Sequence, residues 1–302
     1  MKKLIVILGP TASGKTELAI KLAKKFRGEI VSADSRQIYK GMNIGTAKPT
    51  KKEMQGIPHY LLDIASPKRK FTVTQYRKLA IQVINKTFKK DKLPILCGGT
   101  GFYIRAVVDG VTIPKVKPDW RLRSDLNKLS TEELFKILKK LDPQRAKTIE
   151  RKNPRRLIRA IEIVMKTKRP VPPLKFQPLP YPVLMIGIKR GKKELQNLIK
   201  KRFFKWLKRG LIKEVVNLKK SGLSWKRIED FGIHYRVIAK YLQYKIGEKE
   251  MIENSIKEIQ GYAKRQITWF KRGERIHWIK NYQEAKKLIT KFLKNKRGRE
   301  II

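Results

Sequence analysis

Apolar residues in the first hundred positions follow two alternating rhythms. Leu4 to Leu8 is an unbroken apolar run of strand length, and Leu18, Ala19, Leu22, Ala23 and Phe26 mark one face of a helix closed by Gly28. Ile30 and Val31 belong to a second strand that ends at Asp34, and a long loop rich in Gly, Pro and Lys follows. Tyr76, Leu79, Ala80, Val83, Ile84 and Phe88 then recur at helical spacing, and Ile95-Leu96-Cys97 reads as a third strand. Strands without polar alternation are buried on both faces. Their alternation with helices predicts a parallel sheet covered on both sides.

From about residue 115 the period turns helical. Ser130 with Glu133 makes a capping box ahead of Leu134, Leu138 and Leu141, and Asp142-Pro143 stops that helix. Six of the fifteen prolines fall between Pro170 and Pro182, which favours an extended connector. Val183 to Ile188 reads as a strand returning to the core, and helical patterns such as Ile252, Ile256, Ile259 and Ala263 run to the end. The expected organisation is an α/β core over 1–114 and 183–302 with C-terminal helices. A helical insertion over 115–182 ends in the Pro-rich connector. No internal repeat is visible.

Charge changes this picture most. Lys and Arg total 74 against 25 Asp and Glu, a formal charge of +49, far more than solubility requires and self-repelling without a polyanion. Heat-adapted proteins enrich Lys together with Glu; Glu is not enriched here, so nucleic acid is the expected partner. The 302 residues, 41% of them hydrophobic, suffice for a core and one further domain. Cys97 is the only cysteine, which excludes an intrachain disulfide or a cysteine metal cluster and suggests a reducing compartment. The apolar run after Lys2-Lys3 is too short for a signal peptide, and no stretch approaches the roughly 20 residues of a membrane helix. A soluble, cytoplasmic protein without membrane contact is expected.

Gly9-Pro10-Thr11-Ala12-Ser13-Gly14-Lys15-Thr16 fits the full G-x-x-x-x-G-K-[ST] pattern between a predicted strand and a predicted helix. Backbone N–H groups there cradle phosphate oxygens, Lys15 neutralises them, and the Thr16 hydroxyl is a ligand for Mg²⁺. Nucleotide-splitting relatives usually add an acid at the end of another strand. Here Ile95-Leu96-Cys97 runs into Gly98-Gly99-Thr100 and supplies none. Asp34, ending the second strand, is better placed: it points into the ligand crevice or caps a turn, and spacing alone leaves both open.

With these residues in hand, the chain resembles the tRNA dimethylallyltransferase family, the isopentenyl-tRNA transferases. DSRQIY at 34–39, MNIGTAKP at 42–49, GIPHYLLD at 56–63, GGTGFY at 98–103, NPRRLIRAIE at 153–162 and KRQITWF at 264–270 follow the P-loop in order and carry the likeness over most of the chain. The resemblance implies a P-loop NTPase-like parallel sheet flanked by helices, with an inserted helical tRNA-binding domain. It implies transfer of a dimethylallyl group from dimethylallyl diphosphate to N6 of adenosine 37, in the anticodon stem-loop of tRNA, by a monomer. The exocyclic amine is a weak nucleophile, for which Asp34 is the candidate base; Lys15 and Mg²⁺ on Thr16 would stabilise the leaving diphosphate. An amine acceptor needs no water-activating acid.

By the same resemblance, Gly9 through Thr16 and the lid cation Arg202 hold the diphosphate. Contacts to tRNA are implied for Asp34, Ser35, Arg36 and Gln37, for Thr100 and Arg121, for Arg155, Arg156, Leu157, Ile158 and Arg159, and for Lys264, Arg265 and Gln266. Other readings remain beside these: Thr100 as the N-cap of a helix begun at Gly101, Arg121 and Arg202 as solvated charges. Spacing puts Arg155, Arg156 and Arg159 on one side of a helix, with Leu157, Ile161 and Val164 opposite. Lys264, Arg265, Gln266 and Trp269 combine cations, an amide and an aromatic suited to RNA, though Trp269 reads as core. One stretch departs from the family. Phe231-Gly232-Ile233-His234-Tyr235-Arg236 has His234 where many members have Gly, so that RNA contact is not carried over. His59, His234 and His277 lack metal-ligand spacing and read as core or surface. A small-molecule kinase that splits ATP and a P-loop RNA-binding switch are the competing readings.

Overall fold

The computed structural model describes residues 2–112, 114 and 116–295. The chain begins β1 (Leu4–Leu8), α1 (Lys15–Lys25), β2 (Gly28–Ser32), α2 (Lys51–Met54), β3 (His59–Tyr60), α3 (Val73–Lys89), β4 (Leu93–Gly98) and α4 (Gly101–Val108). Four helices follow: α5 (Trp120–Leu126), α6 (Thr131–Leu141), α7 (Pro143–Thr148) and α8 (Pro154–Thr167). It returns through β5 (Val183–Ile188), α9 (Lys192–Lys208), α10 (Leu211–Lys220), α11 (Trp225–Asp230) and α12 (Ile233–Leu242). It ends with α13 (Glu248–Phe270), β6 (Ile276–Ile279) and α14 (Tyr282–Lys294). Two compact units result: Met1–Asp109 with Pro178–Ile302, and Gly110–Gln177.

The larger unit is built on a six-stranded sheet of order β3-β2-β4-β1-β5-β6, with every pairing parallel. Strand β1 lies inside it between β4 and β5, and all five of its residues are buried. Because successive side chains point to opposite faces, Ile5 and Ile7 pack under α1 and α14, and Leu4, Val6 and Leu8 pack under α3 and α4. Both faces are therefore dry, as the unbroken apolar run requires. Lys3, just before β1, donates its ammonium to the carbonyls of Phe292, Leu293 and Asn295 and so caps the end of α14. A third apolar cluster joins α9–α13 to Ile38, Tyr39 and Met42, in the loop that follows β2. Among the described residues no helix is long and apolar enough to cross a membrane.

The smaller unit carries α5–α8 around Leu126, Leu134, Leu138, Ala146, Leu157 and Ile161. Ser130 and Glu133 form the expected capping box of α6, which ends at Leu141. Asp142 then caps α7 through Arg145 N, and its other oxygen accepts from Val171 N at 2.7 Å. At the centre Glu162 is fully buried. Its carboxylate accepts two bonds from Arg123 at 2.8 and 2.7 Å, one from Asp119 N at 2.7 Å and one from Arg159. These four donors hold its proton affinity down against the burial that raises it.

Several boundaries differ from the sequence reading. The smaller unit spans Gly110–Gln177 where 115–182 was expected. After Gln177 the chain already bonds to the sheet body, Leu179 N to Val108 O and Leu4 N to Pro182 O. Helix α1 is not closed by Gly28: Arg27 takes the left-handed conformation at φ 51°, and Gly28 opens β2. Strands β3 and β6 were not anticipated, being short edge strands of two and four residues.

Candidate active site

The carboxyl ends of β1, β2 and β4 are neighbours in the sheet and bring three loops together: 9–16, 33–37 and 98–100. The first winds tightly, with Ala12 and Gly14 at φ 63° and 90°, and it delivers Lys15 and Thr16 at the start of α1. Lys15 Nζ donates to Pro10 O at 2.6 Å, and Arg190 Nε to Ser13 O at 3.3 Å. Ser13 Oγ is buried yet has no hydrogen-bond partner among the described residues, a polar atom left over inside a phosphate-type cradle.

Asp34 follows β2. Its Oδ1 accepts from Arg36 N at 2.8 Å and Gln37 N at 3.3 Å, so the turn-capping role is real. Both bonds fall on one oxygen, and Oδ2 takes no hydrogen bond among the described residues. Thr100 occupies the N-cap position of α4 without using its hydroxyl there. Instead Oγ1 accepts from Ser35 N at 3.0 Å and joins the third loop to the second. Gln266 of α13 joins the third loop to the first: Oε1 accepts from Thr11 N and Nε2 donates to Gly99 O, both at 2.8 Å. A Cβ at Gly99 would lie 2.3 Å from that amide, so any larger residue there would displace the Gln266 side chain from both bonds.

Electrostatics sharpen the site. Burial, helped by the nearby Arg202 guanidinium and opposed by Cys97 and Asp34, lowers Lys15 to about 8. Arg202, on α9, donates to Thr11 Oγ1 and lies over the Trp206 ring at 4.9 Å. It forms no ion pair among the described residues, and burial holds it down to about 10 against the attraction of Asp34. Asp34 is thus a carboxylate whose charge is felt by both desolvated cations. Burial also pushes the Cys97 thiol up to about 12, leaving it an inert core group. His234 is driven down to about 3 by burial and by Arg202 and stays neutral, packed on Trp206 and Tyr235.

Other residues singled out in the sequence take different places. Leu157 and Ile158 are buried in the core of the smaller unit and offer RNA no surface, because both lie on the apolar stripe of α8. Arg159 turns to Glu162 and to the carbonyls of Pro114 and Val116, so it is an internal cation. Arg155 and Arg156 are exposed, Arg156 with a weak pair to Glu150 at 3.4 Å. Arg121 is exposed on α5. Lys264 and Arg265 are exposed on α13, whereas Gln266 is buried and spent on the two loops. Trp269 packs against the sheet core as read. Among the described residues no group of three His, Cys, Asp or Glu could hold a metal.

Two features had no signal strong enough to find. A groove of about 910 Å³ opens beside Pro10, floored by Ile188, Leu195 and Ile199 and edged by Lys257 and Lys264. Glu214, one acid in the apolar pattern of α10, is buried and bonded to three consecutive backbone N–H groups of the loop after Asp34.

A parallel sheet with this loop at its carboxyl edge makes the protein P-loop NTPase-like. The profile described as IPP transferase matches residues 37–273. A tRNA dimethylallyltransferase of Thermoanaerobacter pseudethanolicus is 41% identical over 310 residues, covering 97% of this chain and 98% of that one. The crystal structure of the full-length tRNA isopentenylpyrophosphate transferase from Bacillus halodurans superposes with a TM-score of 0.72 at 34% identity, covering 97% and 96% of the two chains. A eukaryotic dimethylallyltransferase captured acting on tRNA shares the fold at a TM-score of 0.79 and 24% identity, over 98% of this chain and 82% of that one. The chain belongs to the IPP transferase family.

Proposed function

We propose that the protein transfers a dimethylallyl group from dimethylallyl diphosphate to N6 of adenosine 37 in tRNA. The observation that carries this reading is the convergence of a phosphate loop bearing Lys15 with the turn bearing Asp34 at the carboxyl ends of neighbouring strands, where Asp34 supports the charge of both Lys15 and Arg202. The N6 lone pair forms a bond to C1 of the donor while the C1–O bond breaks and its electron pair leaves with diphosphate. Asp34 Oδ2 takes the proton released from N6. Loop amides, Lys15 and Arg202 stabilise the charge that develops on the leaving group. A carboxylate aimed at water is unnecessary, consistent with β4 ending in Gly98-Gly99-Thr100.

Mg²⁺ fits the donor set, since this ion prefers oxygens, keeps several waters and takes phosphate oxygens beside one or two protein groups. Thr16 would hold it, and when bound it neutralises diphosphate charge. Exposed cations suit RNA phosphates: Arg155 and Arg156 in the smaller unit, Lys264 and Arg265 in the larger. An acceptor base in a structured loop must leave its stack to react, and Thr100, whose hydroxyl accepts from the amide next to Asp34, is the candidate to meet it.

The test is mass spectrometry of tRNA incubated with the protein, dimethylallyl diphosphate and Mg²⁺. One added dimethylallyl group on adenosine, with diphosphate released, is expected. ADP formation from ATP without prenylation would transfer the site to the kinase reading, and tRNA binding without either product to the RNA-binding one.

A further inference from the structure

A buried carboxylate 180 residues along the chain from Asp34 holds the backbone of the loop that follows Asp34. Glu214 lies on α10 with no cation within ion-pair distance among the described residues. Its charge is met instead by amides: Oε2 accepts from Asn43 N at 2.7 Å and Ile44 N at 2.6 Å, and Oε1 from Gly45 N at 3.1 Å. Tyr235 OH adds a fourth bond to Oε1 at 2.8 Å. Four donors aimed at one desolvated carboxylate make a rigid anchor, because losing any of them leaves buried charge less satisfied.

The anchored loop reaches the site in two further steps. Thr46 Oγ1 closes the loop on Met42 O at 2.6 Å, and the carbonyls of Thr46 and Ala47 accept from Gln37 Nε2 at 3.1 and 3.2 Å. Ser32 Oγ fixes the opposite end of that amide by donating to Oε1 at 2.9 Å. With its side chain clamped at both ends, Gln37 presents its backbone N–H to Asp34 Oδ1. Gly45 is pressed onto the start of α12, where a Cβ would lie 2.5 Å from His234 Nε2 and 2.7 Å from Tyr235 OH. The loop therefore has no slack in that direction.

We infer that Glu214 is a positioning residue for the transfer reaction, acting through the 43–47 backbone and Gln37 to fix the rotamer of Asp34. The inference rests on the reading of Asp34 as the base. None of these bonds touches residues 9–16, so donor capture is expected to be independent of Glu214.

Single-turnover rates for wild type, Glu214→Gln, Asp34→Asn and the double variant test it. Gln keeps the shape but offers one acceptor oxygen in place of two. The expected result is a loss on the order of 10²-fold in Glu214→Gln, the cost of misplacing a reacting group by about 1 Å, with the donor KM unchanged. The double variant is expected to be no slower than Asp34→Asn, since a residue that acts through Asp34 has nothing left to position. Multiplying losses, or a loss confined to donor KM, would overturn the inference. If Asp34→Asn is slow while Glu214→Gln runs at the wild-type rate, positioning fails and the base survives; an undiminished Asp34→Asn removes the base itself. Tyr235→Phe guards against misfolding, because it deletes one of the four bonds and keeps the packing. A loss of a few fold at normal donor KM supports the inference, and full rates in both variants reject it.

Discussion

Two half-buried arginines on helices, Arg202 on α9 and Arg159 on α8, look alike in sequence and differ in what answers their charge. Arg159 meets a fully buried Glu162 and two backbone carbonyls, and its donors are spent inside the smaller unit. Arg202 meets a neutral hydroxyl and an aromatic face, and burial depresses its proton affinity against the attraction of Asp34. The first is a structural cation. Under the proposed function the second is a cation held ready for an anion, since a desolvated charge without an ion pair persists only where the fold gains elsewhere. In a chain of this charge, counting arginines says little about recognition; the partner of each is the informative quantity.

The sharpest way to break the comparison is Arg202→Gln. It is expected to lower donor kcat/KM by about 10²- to 10³-fold, as for other preorganised donors to a developing anion, without shifting the unfolding midpoint downward. A stable fold with unchanged donor kinetics would make Arg202 as structural as Arg159. Glu162→Gln does the converse. Removing the acid strands Arg123 and Arg159, and a stability loss of about 3 kcal/mol is expected, at the low end for broken buried pairs because the two arginines are 26% and 27% exposed. Urea unfolding measures it, and a loss below about 1 kcal/mol would show the cluster to be a surface pair in energetic terms.

Lys15 gives a milder effect, set by pH. If its cationic form holds the diphosphate as proposed, burial, which lowers that form's pKa to about 8, makes donor kcat/KM level below that pH and lets it fall about tenfold per unit above it. The profile of kcat/KM on either side of that value reads it directly, and a flat profile to pH 10 or so would mean that Lys15 is not the controlling cation. The smallest effect belongs to the exposed pair. Arg155→Gln with Arg156→Gln should flatten the dependence of log tRNA affinity on log salt by somewhat under about one unit per residue. Equal slopes would remove these residues from the phosphate contacts. Arg159 does not belong in that test, because replacing it disturbs the core rather than the RNA surface.

Where the sequence was readable, local spacing carried the information. A phosphate cradle needs fixed backbone over eight residues, so GPTASGKT declares itself, and β1, α3, β4 and the capped α6 follow from period and punctuation. The site's wiring was not readable for the opposite reason. Gln266 reaches Thr11 across 255 positions and Glu214 reaches Asn43 across 171, and no window of residues displays such pairs. Gln266 accordingly looked like an RNA contact because it adjoins Lys264 and Arg265, although the helix turns it inward. Leu157 and Ile158 were misplaced by the same adjacency, since their own apolar character already put them on the buried stripe. Strand β6, Ile276–Ile279, lies at a sheet edge with only its two end residues buried, and four residues are too few for a period to emerge.

The position of β1 also has a consequence for how the chain is made. Its five residues are synthesised before both strands that flank it, which are not complete until Gly98 on one side and Ile188 on the other. At 5–20 residues per second, roughly ten to thirty-five seconds separate Leu8 from Ile188. Throughout that interval one edge of an apolar strand has no partner, while α5–α8, whose contacts are local, have already been synthesised and form quickly. Newly made chains therefore carry an apolar strand with an open edge through that interval, and yield in the cell is expected to depend on whatever shields Leu4–Leu8 until the second neighbour arrives.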